Sequence, residues 1–210
     1  MLEQIQNWSA IAADIATTLA ALVASVVALI GLAAWKRELA GKELYSATKN
    51  LVWWSHKLKN SLYLTRAPVE TYERRVFSPE QHEITTEGER WRITEAEVYR
   101  SRAEKLFEIN RNYRDALLTL RVLLGSKVYL WFQPFSECTT ETLRILGEYL
   151  QMLDDHSQPL RSDYDEVKEI QSRLHPDHEF KDKLSVKIAD TREEGEKKLL
   201  PYLSRKTIRG

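Results

Sequence analysis

The chain has 210 residues carrying 31 basic and 31 acidic side chains, room for one domain plus an anchor and a balance that gives no general attraction to nucleic acid. Cys138 is the only cysteine, which excludes an intrachain disulfide and a thiolate metal cluster and suits a reducing compartment. Seven Gly and six Pro beside 30% charged residues favour helices, so an all-α fold is expected.

The first predicted element is a membrane span. Residues 15–35 are 21 consecutive uncharged residues (IATTLAALVASVVALIGLAAW), which at about 1.5 Å per residue cover the roughly 30 Å hydrocarbon core. Trp8 and Trp35 bracket the run, about 40 Å apart along a helix, near the full bilayer thickness where indoles prefer to sit. The start, MLEQIQN, lacks the basic residues of a cleaved signal peptide. Lys36, Arg37, Lys42 and Lys49 follow the span and no Lys or Arg precedes it, so the positive-inside rule predicts an inner-membrane protein with its N-terminus outside and residues 36–210 in the cytoplasm.

Within the span, Asp14, Thr18, Ala21, Ser25 and Ala28 recur at spacings of three and four, a narrow small and polar stripe. Such a stripe lets helix backbones approach closely, and it marks these five residues as a candidate oligomer interface. An Ala-rich anchor would also contain the pattern by chance.

Beyond the span, Leu44, Ala47, Leu51, Trp54, Leu58, Leu62 and Thr65 fall on one face, so a helix is expected to run to about Arg66 ahead of Pro68. Trp53 and Trp54 point about 100° apart, which lets one enter the core while the other seeks a different partner. Residues 67–93, with two Pro and one Gly, read as a long loop. Its Arg74, Arg75, Arg90, Arg92 and Trp91 could suit a nucleic-acid or anionic headgroup contact, but six Glu interleave with them and favour a solvated loop.

Thr94 to Glu97 match a capping box and predict a helix start there, with Val98, Leu106, Tyr113, Leu117 and Leu124 facing inward and Gly125 at the C-terminal cap. An aromatic linker around Pro134 leads to a third helix over 137–154, with Leu143, Leu146, Leu150 and Leu153 on one face. After a polar break at 155–163, a short helix over 164–174 precedes Pro176, and Phe180, Leu184 and Ile188 begin the last helix, which reaches Leu203. The expected architecture is therefore one transmembrane helix followed by an antiparallel cytosolic bundle of about four helices.

No phosphate-binding Gly loop, nucleophile elbow, metalloprotease helix or paired-cysteine site is present. His175, Asp177 and His178 lack the further ligands of a metal site and read as a solvated turn. No cofactor is expected, and the balance leans away from an enzyme.

The segments WKRELAG after the span, RAP at the end of the first cytoplasmic helix, and a closing F-x-x-x-L helix ending LLPYL resemble a group of bacterial single-span proteins to which no activity is assigned. Arg173 and His178, with four residues between them before the last helix, have the spacing of the Arg and His motif of HEPN ribonucleases. A single span followed by such a bundle resembles the CRISPR-associated membrane protein that assembles into a pore. That resemblance implies an oligomeric membrane effector in antiviral defence, or a membrane-tethered ribonuclease with Arg173 and His178 as catalytic pair. The spacing arises about once by chance in a chain of this composition, and Leu174 follows Arg173 where the family has a polar residue. The partners expected are the lipid bilayer, further copies of the chain, and a cytosolic protein, with nucleic acid disfavoured. A simple anchor that recruits that cytosolic protein is the third reading.

Overall fold

The computed structural model describes residues 2–155, 160–177 and 179–203, with side chains described from Thr17 onward. Among these residues the fold is all-helical, with six α-helices and a short 3-10 turn, Thr71–Glu73. The helices are α1 (Leu2–Arg66), α2 (Pro79–Ile84), α3 (Glu87–Leu124), α4 (Lys127–Asp154), α5 (Asp165–Leu174) and α6 (Lys183–Leu203).

α1 is one uninterrupted helix of 65 residues, roughly 95 Å long. Its first half contains an apolar stretch long enough to cross a membrane, none of it buried within the chain. Its second half enters the core through the face read from the sequence. Ala47, Leu51, Leu58, Leu62 and Thr65 are buried, and Leu44 and Trp54 pack at the margin. Trp54 takes the inner place while Trp53 stays outside, with its ring 4.4 Å from that of Trp54 and the Lys57 ammonium over it.

α1, α3, α4 and α6 share one core, in which α1 and α4 each contact both α3 and α6, while α5 lies on α4. Three sets of contacts set the register. Arg66 meets Asp182 and Ser55 meets Glu196; Tyr99 meets Tyr149 and Tyr113 meets Phe135; Cys138 meets Thr191, and a Cβ on Gly195 would touch Phe132. In each set one helix descends in number as the other rises.

Three expected helix starts move. α3 begins at Glu87, not Thr94, because an earlier capping box is used: the Thr86 hydroxyl accepts from Glu89 N–H, and the Glu89 carboxylate accepts from Thr86 N–H at 2.7 Å. Gly88 in that first turn argued against a helix there, yet a Cβ at Gly88 would lie 2.9 Å from the Leu160 carbonyl oxygen, so close approach of the chain requires glycine. Residues 67–93 are thus not one long loop; they hold the 3-10 turn, α2 and the start of α3. Likewise the aromatic stretch around Pro134 is not a linker. It belongs to α4, where Val128, Phe132 and Phe135 are buried and Pro134 faces outward.

Phe180 precedes the last helix rather than opening it. Its φ of 54° is a left-handed conformation that costs an aromatic residue strain, and its ring packs on Tyr63 at 5.0 Å. α6 is capped instead by Asp182, whose carboxylate accepts from Ser185 N–H at 3.1 Å.

Candidate functional site

The polar side chains inside this core gather at one end, where α1 stops and α3 starts. Arg66 is only 1% exposed. It donates to the Leu174 carbonyl at 3.0 Å, the Ser185 hydroxyl at 2.7 Å and the Asp182 carboxylate at 2.6 Å. Burial of Asp182 would raise its pKa, but bonds from Ser185 and Arg66 outweigh that and lower it. Across the same end, Arg102 is buried against the Ala67 and Pro68 carbonyls and pairs with Glu73. Partial burial would raise the Glu73 pKa too, but the Arg102 hydrogen bond, the Glu70 N–H and the Arg102 charge together outweigh that and lower it.

Tyr99 and His175 join the two arginines. The Tyr99 hydroxyl lies 2.9 Å from the Ala67 carbonyl and 2.8 Å from His175 Nε2. A phenol has one proton, so if Tyr99 donates it to Ala67, His175 donates through Nε2–H. Burial, with the Arg102 and Arg66 charges nearby, pushes the His175 pKa down to about 4, which keeps the ring neutral. Beneath it, Gln171 donates to the Tyr149 hydroxyl, which donates to Glu95 at 2.9 Å. Burial raises the Glu95 pKa, against the lowering effect of Tyr149 and of Arg74 and Arg102.

Above Glu95 opens a cleft of about 1100 Å³ between the start of α3, the stretch after α1 and residues 160–163 ahead of α5. The four arginines and the Trp91 singled out from the sequence all line it, joined by Phe77 and Arg161. Its charge is largely answered from within. Arg75 pairs with Glu97, Arg161 with Asp163, Arg90 donates to the Thr85 and His82 carbonyls, and Glu87 and Glu89 also line the cleft. The arrangement can hold an acidic or amphipathic segment, since exchangeable surface ion pairs surround an aromatic wall.

The other residues proposed from the sequence lie apart from this cleft. Arg173 is exposed on α5 and pairs with Glu148 at 2.7 Å, beside Arg144. His178 lies outside the described residues. Thr18, Ala21, Ser25 and Ala28 are all exposed on α1, and the Ser25 hydroxyl donates back to the Ala21 carbonyl at 2.8 Å; the Asp14 side chain is outside the described set. His175 turns towards Tyr99, while Asp177 accepts from Lys181 N–H at 2.6 Å. Among the described residues no group of three potential metal ligands converges.

Sequence reading passed over Arg66, Glu95, Tyr99, Arg102 and Tyr149, and it took His175 for part of a solvated turn, whereas the ring packs on Tyr99. A signal existed for three of them: Glu95, Tyr99 and Arg102 continue the spacing of Leu106 and Tyr113 on the inner face of α3, so polar groups at core positions were visible. Their partners were not. No family model, curated protein or solved structure matches the chain.

Proposed function

We propose that the chain is a single-span inner-membrane protein whose cytosolic part is an antiparallel four-helix bundle, and that it works by self-association and docking rather than by catalysis. One observation carries the reading. α1 passes without a break from an exposed apolar stretch into the buried core, so the anchor and the domain are one rigid element. Leu19, Leu22, Val23, Val26, Leu29 and Ile30 are each more than half exposed. Removing such side chains from water is worth about 1.5–3 kcal/mol apiece, and a bilayer supplies the medium. The Lys36 and Arg37 pair after Trp35 supports a cytoplasmic domain.

Self-association through Thr18, Ala21, Ser25 and Ala28 fits this anchor, because small residues on a lipid-exposed helix permit close approach. A membrane effector or scaffold follows, and a phage-defence pore is the narrower form that the resemblance adds. The alternative of an anchor for a cytosolic protein is favoured by the arginine and tryptophan cleft. It lies beyond Arg66, 31 residues and about 46 Å along α1 from Trp35, clear of the headgroups. A membrane-tethered ribonuclease has less support, since Arg173 is engaged by Glu148.

The test is topology followed by assembly. A reporter fused after Gly210 should work only as a cytoplasmic reporter; periplasmic activity would overturn the orientation. Ala21→Leu with Ala28→Leu should shrink the detergent-solubilised particle, whereas Val23→Leu with Val26→Leu should not. Equal behaviour of the two pairs would remove the stripe from the account.

A further inference from the structure

The end of the domain opposite the polar cluster is closed by the turn between α3 and α4, and its chemistry is different. From residue 116 to 136 the chain contains no Asp or Glu, while Arg121 and Lys127 flank the turn. Val122 is 85% exposed and Leu130 66%, with Leu118, Leu123 and Tyr129 also exposed around them. Arg121 lies over the Tyr129 ring at 5.4 Å. Nothing in the fold needs these apolar groups outside, since the turn is already closed by Gly125, whose φ is 81° and whose N–H donates to the Arg121 carbonyl at 2.8 Å.

The register fixes where this surface lies. Tyr113 meets Phe132, Phe132 lies beside Gly195, and the next residue, Glu196, accepts from Ser55, so these four positions share one level. From Tyr113 to Leu124 α3 runs eleven residues back along α1, to the level of Leu44. That level is nine residues, about 14 Å, past Trp35. The headgroup layer fills roughly 5–8 Å of that height. Long Lys and Arg stems and the ordinary tilt of a span close the rest.

We infer that the α3–α4 turn rests on the cytoplasmic lipid surface beside its own span, with Val122 and Leu123 facing the headgroup boundary and Arg121 and Lys127 pairing with anionic headgroups. The inference rests on the single-span reading. An apolar tip ringed by cations and free of acids is complementary to an anionic bilayer surface. The same surface on a second copy of the chain would be equally cationic, and like charges oppose that contact.

The experiment uses the full chain in nanodiscs holding one copy each, in a Cys138→Ala background. A polarity-sensitive fluorophore is attached at Val122→Cys, at Leu123→Cys, at Val76→Cys on the opposite end, or at Trp35→Cys in the span, and headgroup-nitroxide lipid is the quencher. With phosphatidylglycerol present, labels at Val122 and Leu123 should lose most of their emission, as at Trp35, while Val76 keeps its own. Arg121→Glu with Lys127→Glu should return the turn labels towards the Val76 value, as should replacing phosphatidylglycerol with phosphatidylcholine. Quenching at Trp35 with Val122 and Leu123 no more quenched than Val76 would overturn the inference and leave the span standing. No quenching at Trp35 would overturn the span reading itself. Shielding of Val122 from an aqueous quencher only in discs holding two copies would make the turn a contact between subunits and overturn its assignment to lipid.

Discussion

The two ends of the helical domain are built on opposite principles from the same four helices. At the Arg66 end, the connections from α1 to α3 and from α4 to α6 are long, and their carbonyls at Ala67, Pro68 and Leu174 need donors that the helices do not supply. Buried Arg66 and Arg102 reach across to provide them, and Asp182 and Glu73 neutralise the charge. At the turn end, Gly125 and Ser126 close α3 onto α4 with the turn's own backbone, and the surface is left apolar. The contrast teaches that buried charge here follows loop length. Exposed apolar surface, which folding does not require, then points to something outside the chain.

The sharpest test of that contrast is Arg66→Ala. It strands Asp182, Ser185 and the Leu174 carbonyl together, and breaking a buried pair costs about 3–5 kcal/mol. Asp182 is 23% exposed and can be rehydrated, which puts the expectation at the low end of that range. Val122→Ser at the other end should change stability by no more than about 0.5 kcal/mol. Chemical denaturation of the detergent-solubilised chain, followed by far-UV circular dichroism, compares the two; similar losses would break the comparison.

A smaller effect separates two helix glycines. Gly195 is buried where a Cβ would lie 2.8 Å from a Phe132 ring carbon, whereas Gly147 opens onto space. Gly147→Ala should stabilise α4 by roughly 0.5–1 kcal/mol. At Gly195 the same helix gain meets the Phe132 ring, and overpacking of about 1–3 kcal/mol should win. Shifts of opposite sign in thermal midpoint are expected, and stabilisation by Gly195→Ala would show that Phe132 yields freely.

His175 gives the polar end a pH dependence. Its folded pKa is about 4 against an ordinary 6.5, so the unfolded chain binds the proton more readily. Stability from this group is full above pH 6.5 and declines as pH falls from there towards 4. Glu95 acts oppositely, since its raised pKa makes the fold lose stability as pH rises through it. His175→Gln can still donate to Tyr99 without titrating, so its midpoint should fall less than the wild type's between pH 6.5 and 4. An unchanged slope would assign the acid loss to other groups.

Arg173→Ala should do least. Its pair with Glu148 is exposed on both sides and screened by solvent, so its loss should leave the thermal midpoint essentially unchanged. With His178→Ala added, any cellular phenotype should persist in a complementation assay; its loss with folding intact would restore the ribonuclease reading.

Periodicity made the inner faces of α1 and α3 and the Gly125 stop legible, because burial imposes a spacing of three and four on one helix at a time. The capping box at Thr86, eight residues ahead of the expected one at Thr94, was not legible, since the Gly88 inside it is explained only by a contact with Leu160, 72 positions away. Pro134 read as a break because sequence alone did not show that it faces outward on a helix held by Phe132 and Phe135. The Arg66, Tyr99 and His175 cluster was invisible as a cluster. Its bonds join residues 76 to 119 apart, and no local pattern encodes such pairs.

α1 has a mechanical consequence. Under the proposed single-span reading, α1 is a stiff rod shared by bilayer and bundle and would act as a lever, with its fulcrum near Trp35 and its far tip at Arg66, about 46 Å away. Leaning the span by about 10° would sweep that tip sideways by roughly 8 Å, the kind of tilt that a change in bilayer thickness produces. Membrane geometry would thereby be converted into the position of the cleft relative to whatever it meets in the cytoplasm.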